Sequence, residues 1–341
     1  MSEPAYDLRP RLSVVAPCYN EEAALPLFVE RMLDACQRFA DGAFEIILVN
    51  DGSADNTWAC MRALATTRPG VVAIDLARNH GHQLAVSAGL SVARGERVLV
   101  IDADLQDPPE LLGEMMTRMD EGFDVVFGRR RARAGESAFK RATAHGFYRL
   151  LSRISEVDIP VDVGDFRLMT RDIVDKLNAM PEQDRFLRGM VAWLGGRQTD
   201  VMYDRDTRSA GQTGYSLAKM LRLAAAGITS FSTAPLQLAA LATGLGVLVG
   251  VGIAAYVLRA AIAGETVPGW TSLALVLVFF SCAQLACLAI MSLYISRIFK
   301  QVKQRPLFLI QERVASPVRI GLAPASMPAS EEATADKQTA A

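Results

Sequence analysis

No apolar run in this sequence leads into a glycine-rich phosphate loop. Neither GxGxxG nor GxxxxGKS/T follows any of them, so neither a dinucleotide-dependent dehydrogenase nor a P-loop enzyme is supported. Cysteine is sparse: Cys18, Cys36, Cys60, Cys282 and Cys287 are odd in number, and none forms a CxxC pair. That argues against a zinc site and for reduced thiols in a cytosolic setting. The three histidines, His80, His82 and His145, fit no metal-ligand spacing and read as structural. There is no excess of charge either. Lys+Arg 36 against Asp+Glu 37 gives −1, which leaves no bulk field to attract nucleic acid. The opening MSEPAYDLRP lacks an apolar core, so no signal peptide is expected.

What the sequence does have is concentrated at Val98–Pro109, VLVIDADLQDPP. Val98–Ile101 is a continuous apolar run, the pattern of a strand buried on both faces of a parallel sheet. Asp102, Asp104 and Asp107 arrive together at its C-terminal end, where carboxylates repel one another unless a cation or donors compensate. That edge of an open α/β sheet is also where ligands bind. Pro108 and Pro109 stop the strand and start a helix. A solvated acidic turn capping that helix is the bland alternative. Gln106, a neutral oxygen ligand, and a second acidic strand end at Asn50–Asp51 weigh against it.

The chain from Leu12 to about Asp206 alternates apolar runs (12–16, 44–49, 71–76, 97–101, 123–128) with helical patterns (22–39, 56–66, 82–94, 109–120). That rhythm predicts a parallel sheet covered by helices on both faces. Three strand ends on one edge carry polar residues. They are Pro17-Cys18-Tyr19-Asn20-Glu21-Glu22, Asn50-Asp51-Gly52-Ser53 and the Asp102–Asp107 run. Asp51, Glu21 and Tyr19 are suited to the acceptors and stacking face that a ribose and a uracil need. Asp104 is suited to a divalent cation whose shell phosphate oxygens complete.

The last third changes character. Thr229–Leu258 and Trp270–Ser296 hold no charged residue, and each exceeds the ~20 residues that cross a bilayer. The AGETVPG between them is a tight turn. Gly246 and Gly250 form a GxxxG suited to close helix packing. Basic residues cluster at 129–133, 140–141 and 297–305. Lys219 and Arg222 before the first span, and Arg297, Lys300, Lys303 and Arg305 after the second, place the large domain and both termini in the cytoplasm. Residues 214–232 read as a helix lying along the interface. The tail from about Ala315 has the composition of a disordered segment.

PCYNEE, LVNDGSADNT, ARNHGHQLAVSAGL, DADLQDPPE, GDFRLM, FLRGMVAWLG and the pair of apolar spans together resemble the family 2 glycosyltransferases that load a lipid carrier. The likeness is nearest to bactoprenol (undecaprenyl-phosphate) glucosyltransferases and more distant to dolichol-phosphate mannosyltransferases. It covers roughly residues 10 to 310. It implies an α/β fold, a GT-A (Rossmann-like, mostly parallel sheet) domain followed by a two-helix transmembrane hairpin. The expected division is a tail over 1–10, the GT-A domain over 11–210, a juxtamembrane segment over 211–232, two membrane helices over 233–298, and a basic then disordered tail over 299–341. It also implies inverting transfer of a sugar, glucose in the nearest relatives, from a UDP-linked donor to polyprenyl phosphate at the bacterial inner membrane, in cell-envelope or lipopolysaccharide glycan modification. Membrane lipid, a homo-oligomer and a flippase are the remaining implied partners.

Matched residue by residue, the resemblance assigns Pro17, Tyr19, Glu21 and Asp51 to the nucleotide pocket and Asp102 to the ribose side. Asp104 and Gln106 become ligands for Mg2+ or Mn2+, and Asp165 a catalytic residue beside the acceptor. Gly214 stands where relatives would carry a basic residue. A phosphate monoester with a second pKa near ~6 is already mostly dianionic at neutral pH, so a strong general base is less needed than for a hydroxyl acceptor. The acceptor's charge calls for cations, and Arg130, Arg141, Arg205 and Arg208 are candidates. Taken singly, each is first a surface charge or a headgroup contact. Two other readings remain. A processive polysaccharide synthase needs more spans and a QxxRW-type motif, which Trp193 in VAWLGG does not supply. An inactive, membrane-tethered nucleotide-sugar binder would not need Asp102, Asp104 and Asp165 together.

Overall fold

The structure is a computed structural model and describes residues 9–131, 163–204, 234–263 and 269–315. Arg141, His145, Asp162, Arg205, Arg208, Gly214 and the expected interfacial helix lie outside the described residues.

Eight strands among the described residues form one sheet: β1 Leu12–Cys18, β2 Phe44–Asn50, β3 Val71–Leu76, β4 Arg97–Val100, β5 Val125–Arg130, β6 Val163–Thr170, β7 Gln198–Tyr203 and β8 Ile310–Ala315. Their order is β7-β5-β6-β4-β1-β2-β3-β8. The pairs β1–β2, β1–β4, β2–β3 and β5–β7 are parallel. This is the mostly parallel α/β sheet that the sequence predicts, made mixed by antiparallel β6 and β8.

β1 and β2 are buried along their whole length, because helices cover both faces. Alternate residues serve opposite layers. Val14, Ile46 and Leu48 pack against helices α1 (Leu25–Phe39), α2 (Thr57–Thr67) and α4 (Leu112–Asp120). Val15, Ile47 and Val49 pack against α3 (His82–Val92), α5 (Arg171–Ala179) and α6 (Leu187–Leu194). α3 lies very close to the sheet: a Cβ on Gly89 would stand 2.3 Å from Val15 Cγ1.

Connectivity decides where the site is. β1, β2 and β3 step one way across the sheet, and β4 returns to the other side of β1. The switch point therefore falls between β1 and β4, where α/β sheets bind ligands beyond the strand C-termini. β6 runs antiparallel beside β4 with Val100 opposite Arg167. Two residues further along this register, Asp102 comes alongside Asp165.

Two long helices follow, α7 Ala234–Ile262 and α8 Trp270–Val302. They pack on each other, with Gly246 against the Phe280 ring and Thr243 Oγ1 3.5 Å from Cys287 Sγ. Gly250, the other half of the GxxxG, meets nothing. Among the described residues one segment, Phe279–Val302, is long and apolar enough to cross a membrane. The apolar part of α7, Ala239–Ile253, is shorter. Its rise of 1.5 Å per residue carries it only ~22 Å, against a ~30 Å hydrocarbon core. Leu241, Leu245, Leu273 and Leu277 on these helices are each more than 60% exposed, a surface suited to lipid rather than water.

The chain after α8 differs from the sequence reading. Residues 310–315, placed by the sequence in the basic part of the C-terminal tail, form β8 on the outer edge of β3, Ala73 opposite Val314. The end of α8 is also fastened to the domain. Lys300 Nζ lies 3.2 Å from Asp184 Oδ1, and Gln301 donates to the Pro181 carbonyl and accepts from the Gln183 N–H.

Candidate active site

The loops after β1 and β2 are sewn together. Asn20 N donates to Ser53 Oγ, Ala54 N to Asn20 Oδ1, and Glu21 N to Thr57 Oγ1. Asn20 takes the left-handed conformation at φ 57° to make this turn. Tyr19 is left 51% exposed, its ring open to a stacking partner. Asp51 is 3% exposed and turns inward, accepting from the backbone N–H groups of His80 (2.7 Å) and Gly81 (2.9 Å). It fixes the loop that starts α3. Gly52 lets that loop come close, since a Cβ there would lie 2.5 Å from Asn79 N. Pro17, Tyr19, Glu21, Asp51 and Asp102 therefore do share one sheet edge, with Asp51 committed to backbone donors.

The acidic loop after β4 is held from two directions. Asp104 Oδ1 accepts from Gln106 N at 3.1 Å, across Leu105 at φ 60°. Asp107, 1% exposed, accepts from the Tyr203 hydroxyl and lies 3.6 Å from Arg130 Nη2. Arg130 Nε in turn donates to the Tyr203 hydroxyl at 3.2 Å. Arg130, expected to receive the acceptor, is thus tied to the acidic loop, with 21% of its side chain exposed.

Asp165 is the most heavily bonded group here. Its Oδ1 accepts from Arg188 Nε (2.8 Å) and lies 3.7 Å from Arg167 Nη2. Its Oδ2 faces His82 Nε2 (2.9 Å), Gln83 Nε2 (3.1 Å) and Arg188 Nη2 (3.3 Å). Burial alone would raise the pKa of this carboxyl; His82 and Arg188, with Arg167 behind, hold it well below the usual range. His82 Nε2 is also 3.8 Å from Asp102 Oδ1. The two carboxylates raise the His82 pKa above its ordinary value, although burial works against them. Asp102 goes the other way. Burial pushes it up to about 6, opposed by His82 and reinforced by Asp165, Asp107 and Asp104.

His82, read from the sequence as structural, is bonded to Asp165 and lies beside Asp102. Gln83, Arg188, Arg167 and Tyr203 were not singled out by sequence reasoning at all. Their signal was their place in ARNHGHQ, FLRGM and GDFRLM; Tyr203 had none. Cys18 and Cys36 are buried thiols whose pKa burial raises, so neither supplies a thiolate.

Among the described residues no three acidic, His or Cys side chains gather as a ready-made metal cage. A divalent ion bound mainly through diphosphate oxygens does not need one. A carboxylate and an amide oxygen, as Asp104 and Gln106 offer, are donor types that such an ion accepts.

Residues 13–177 match the model of a family described as glycosyl transferase family 2. A Bacillus subtilis glycosyltransferase, YkcC, is 43% identical over 304 residues, 88% of this chain and 93% of its own length. A prophage bactoprenol glucosyl transferase homolog of Escherichia coli is 37% identical, covering 88% of this chain and 98% of its own. A prophage-derived bactoprenol glucosyl transferase of Shigella flexneri is 36% identical, with 89% and 98% covered.

Proposed function

The chain belongs to glycosyl transferase family 2, and from that premise we propose that it transfers glucose from a UDP-linked donor to a membrane polyprenyl phosphate. The observation that carries this reading is the extent of the likeness to bactoprenol glucosyl transferases. It runs across 98% of their length, apolar helices included, and not the catalytic domain alone. The fold supports it by fastening the end of α8 to the segment that leads into α6, whose Arg188 binds Asp165.

In this reading a phosphate oxygen of the acceptor forms a bond to C1 of the sugar. The bond from C1 to the nucleoside diphosphate breaks, and its electron pair leaves with the diphosphate. In-line displacement inverts C1. Because the acceptor is already an anion, no proton has to be removed. Asp165 suits that chemistry: it stays ionised, with its oxygens occupied by donors, and acts by holding its neighbours in place. Tyr19, Glu21 and the Pro17 turn border the nucleoside, and Asp102 lies on the ribose side. Asp104 and Gln106 would hold Mg2+ or Mn2+, which when bound neutralises charge on the leaving diphosphate. Arg130, steadied by Tyr203, faces the acceptor, and Arg141, Arg205 and Arg208 are further candidates for its charge. The catalytic domain and both termini are cytoplasmic, since Lys300, Lys303 and Arg305 lie at the domain end of α8. A homo-oligomer, and a flippase that takes the lipid-linked product, complete the proposal.

The test is to incubate membranes containing the full chain with undecaprenyl phosphate and a panel of UDP- and GDP-sugars, then weigh the lipid product. One added hexose from UDP-glucose is the expected result. No glycolipid from any donor would overturn the proposal, and a ladder of several added sugars would indicate processive synthesis.

A further inference from the structure

Resting on the membrane part of that reading, we propose that α8 carries a second packing seam, centred on Gln284, through which two copies of this chain pair inside the bilayer. Between Trp270 and Ser296 there is no charged residue, and Gln284 is the one side-chain amide. It stands one residue from the midpoint of that run, ~20 Å from either end at 1.5 Å per residue. A hydrocarbon core is ~30 Å thick, so an amide at mid-depth lies out of reach of water. Left unpaired there, its donors and acceptor are costly. A serine avoids that cost by bonding to a carbonyl one turn back, as Ser292 Oγ does to Ala289 at 2.8 Å. Gln284 is exposed and makes no hydrogen bond among the described residues.

α7 does not supply the missing partner. α8 meets it along a stripe of half-buried residues that includes Phe280, Ala283 and Cys287. Phe280 lies against Gly246, and Cys287 Sγ against Thr243 and the Ala239 carbonyl. Gln284 is about a quarter turn away from that stripe. A second stripe runs through it: Leu277, Ser281, Gln284, Leu288, Met291 and Ile295, in alternating steps of four and three residues. That is the heptad seam of paired helices. All six are exposed, the four apolar ones between 46% and 67%. One polar side chain within such a seam fixes its register and the number of helices that meet.

The occupant follows from the amide itself. Insertion gives every copy of the chain the same orientation, so two α8 helices that meet are parallel. Seam to seam, Gln284 then faces its own counterpart at equal depth. An amide both donates and accepts, so the pair is self-complementary, whereas a foreign helix would need a polar group of its own at that depth. Lys300 and Gln301 fasten the end of α8 to the segment before α6. The register of the seam is therefore passed on to the two catalytic domains, which it sets side by side on one face of the membrane.

The full chain, fused to donor or acceptor fluorophores, should be placed in phosphatidylcholine vesicles over a range of lipid-to-protein ratios, without substrate. Energy transfer then gives the association of wild type, Gln284→Leu, Gln284→Asn and Leu293→Ala. UDP affinity and melting temperature on the same vesicles show that each variant is folded. Gln284→Leu is expected to weaken association about five- to tenfold, the loss of one interhelical hydrogen bond in lipid. Gln284→Asn, which keeps an amide, should lose less, and Leu293→Ala, off the seam, should lose nothing. Copper-phenanthroline oxidation is the second measurement. Leu288→Cys should give a disulfide-linked dimer, and wild type should not, because Cys282 lies nearly opposite Gln284 on the helix. Wild type that stays monomeric at every ratio overturns the seam. So does Gln284→Leu that associates as wild type does, a missing Leu288→Cys dimer, or equal cross-linking through Cys282. A chain that alkaline extraction strips from the vesicles overturns the membrane placement and the seam with it. A chain that pairs as expected but adds no sugar to undecaprenyl phosphate supports the seam and overturns the functional reading alone.

Discussion

Replacing Asp165 with Asn keeps the volume and one acceptor oxygen, removes the charge and turns the other oxygen into an NH2 donor. The group most affected is Arg167, 7% exposed and 3.7 Å away, which would lose its balancing charge and keep only the Gly164 carbonyl. Stranding a buried charge costs about 3–5 kcal/mol. Arg188 and His82 reach solvent, so each adds at most ~0.5 kcal/mol. The retained amide oxygen offsets about 1 kcal/mol. The net is roughly 3 kcal/mol, a fall in melting temperature of about 6–12 °C for a domain of this size. Turnover should fall in the same preparation, because His82 and Arg188 lose the charge that holds them, while UDP affinity holds. Thermal melts, calorimetry and turnover are the assays, with a double-mutant cycle against Arg188→Gln giving a coupling of about 1 kcal/mol. A variant that melts within about 2 °C of wild type yet has lost turnover would refute this reasoning and make Asp165 a direct participant.

The pH dependence has a definite sign. Asp165 is held below its ordinary value, so its contribution to stability is complete above ~pH 4 and is lost as acid protonates it. His82 is held above 6.5, so its contribution is complete below that pH and is lost as pH rises through the raised value. Melting temperature should fall on the alkaline side of 6.5, and His82→Gln should flatten that slope; equal slopes would mean His82 carries no charge there. Tyr203→Phe frees Asp107 and Arg130 and should cost about 1.5–3 kcal/mol by denaturant melts. Gly52→Ala forces a side chain into φ 66° against Asn79 and should destabilise by more than ~2 kcal/mol, with weaker UDP binding. Asp104→Asn should weaken UDP binding with Mg2+ and leave metal-free binding unchanged, as calorimetry would report.

The central sheet was legible because five apolar runs alternate with helical patterns; the structure lengthens β1 and β2 by a residue or two, ends β4 one residue early and moves β5 two residues on. The acidic loop and Asp165 were legible as motifs. Their partners were not. His82 and Asp165 are 83 residues apart, and Tyr203 and Asp107 are 96 apart. No local pattern reports that antiparallel β6 brings the first pair together, or that β7 carries the second. β8 was missed for another reason. IQERVA sits on an exposed edge and alternates with charges, so it lacks the apolar run that marks an inner strand.

Placing β8 in the sheet makes the catalytic domain discontinuous: the chain leaves it after Tyr203 and rejoins it at Ile310. Everything between is an insertion whose two ends are moored to one rigid body. A chain that departs from and returns to the same side of a bilayer crosses it an even number of times. If Phe279–Val302 crosses, parity therefore asks for a second crossing somewhere between Tyr203 and Ile310. Among the described residues α7 is the helix that would supply it, despite its short apolar stretch. The same mooring means that a fragment cut at the end of β7 would expose the edge of β3 as a template for aggregation. A soluble version of the domain needs residues 310–315 rejoined to it across a linker.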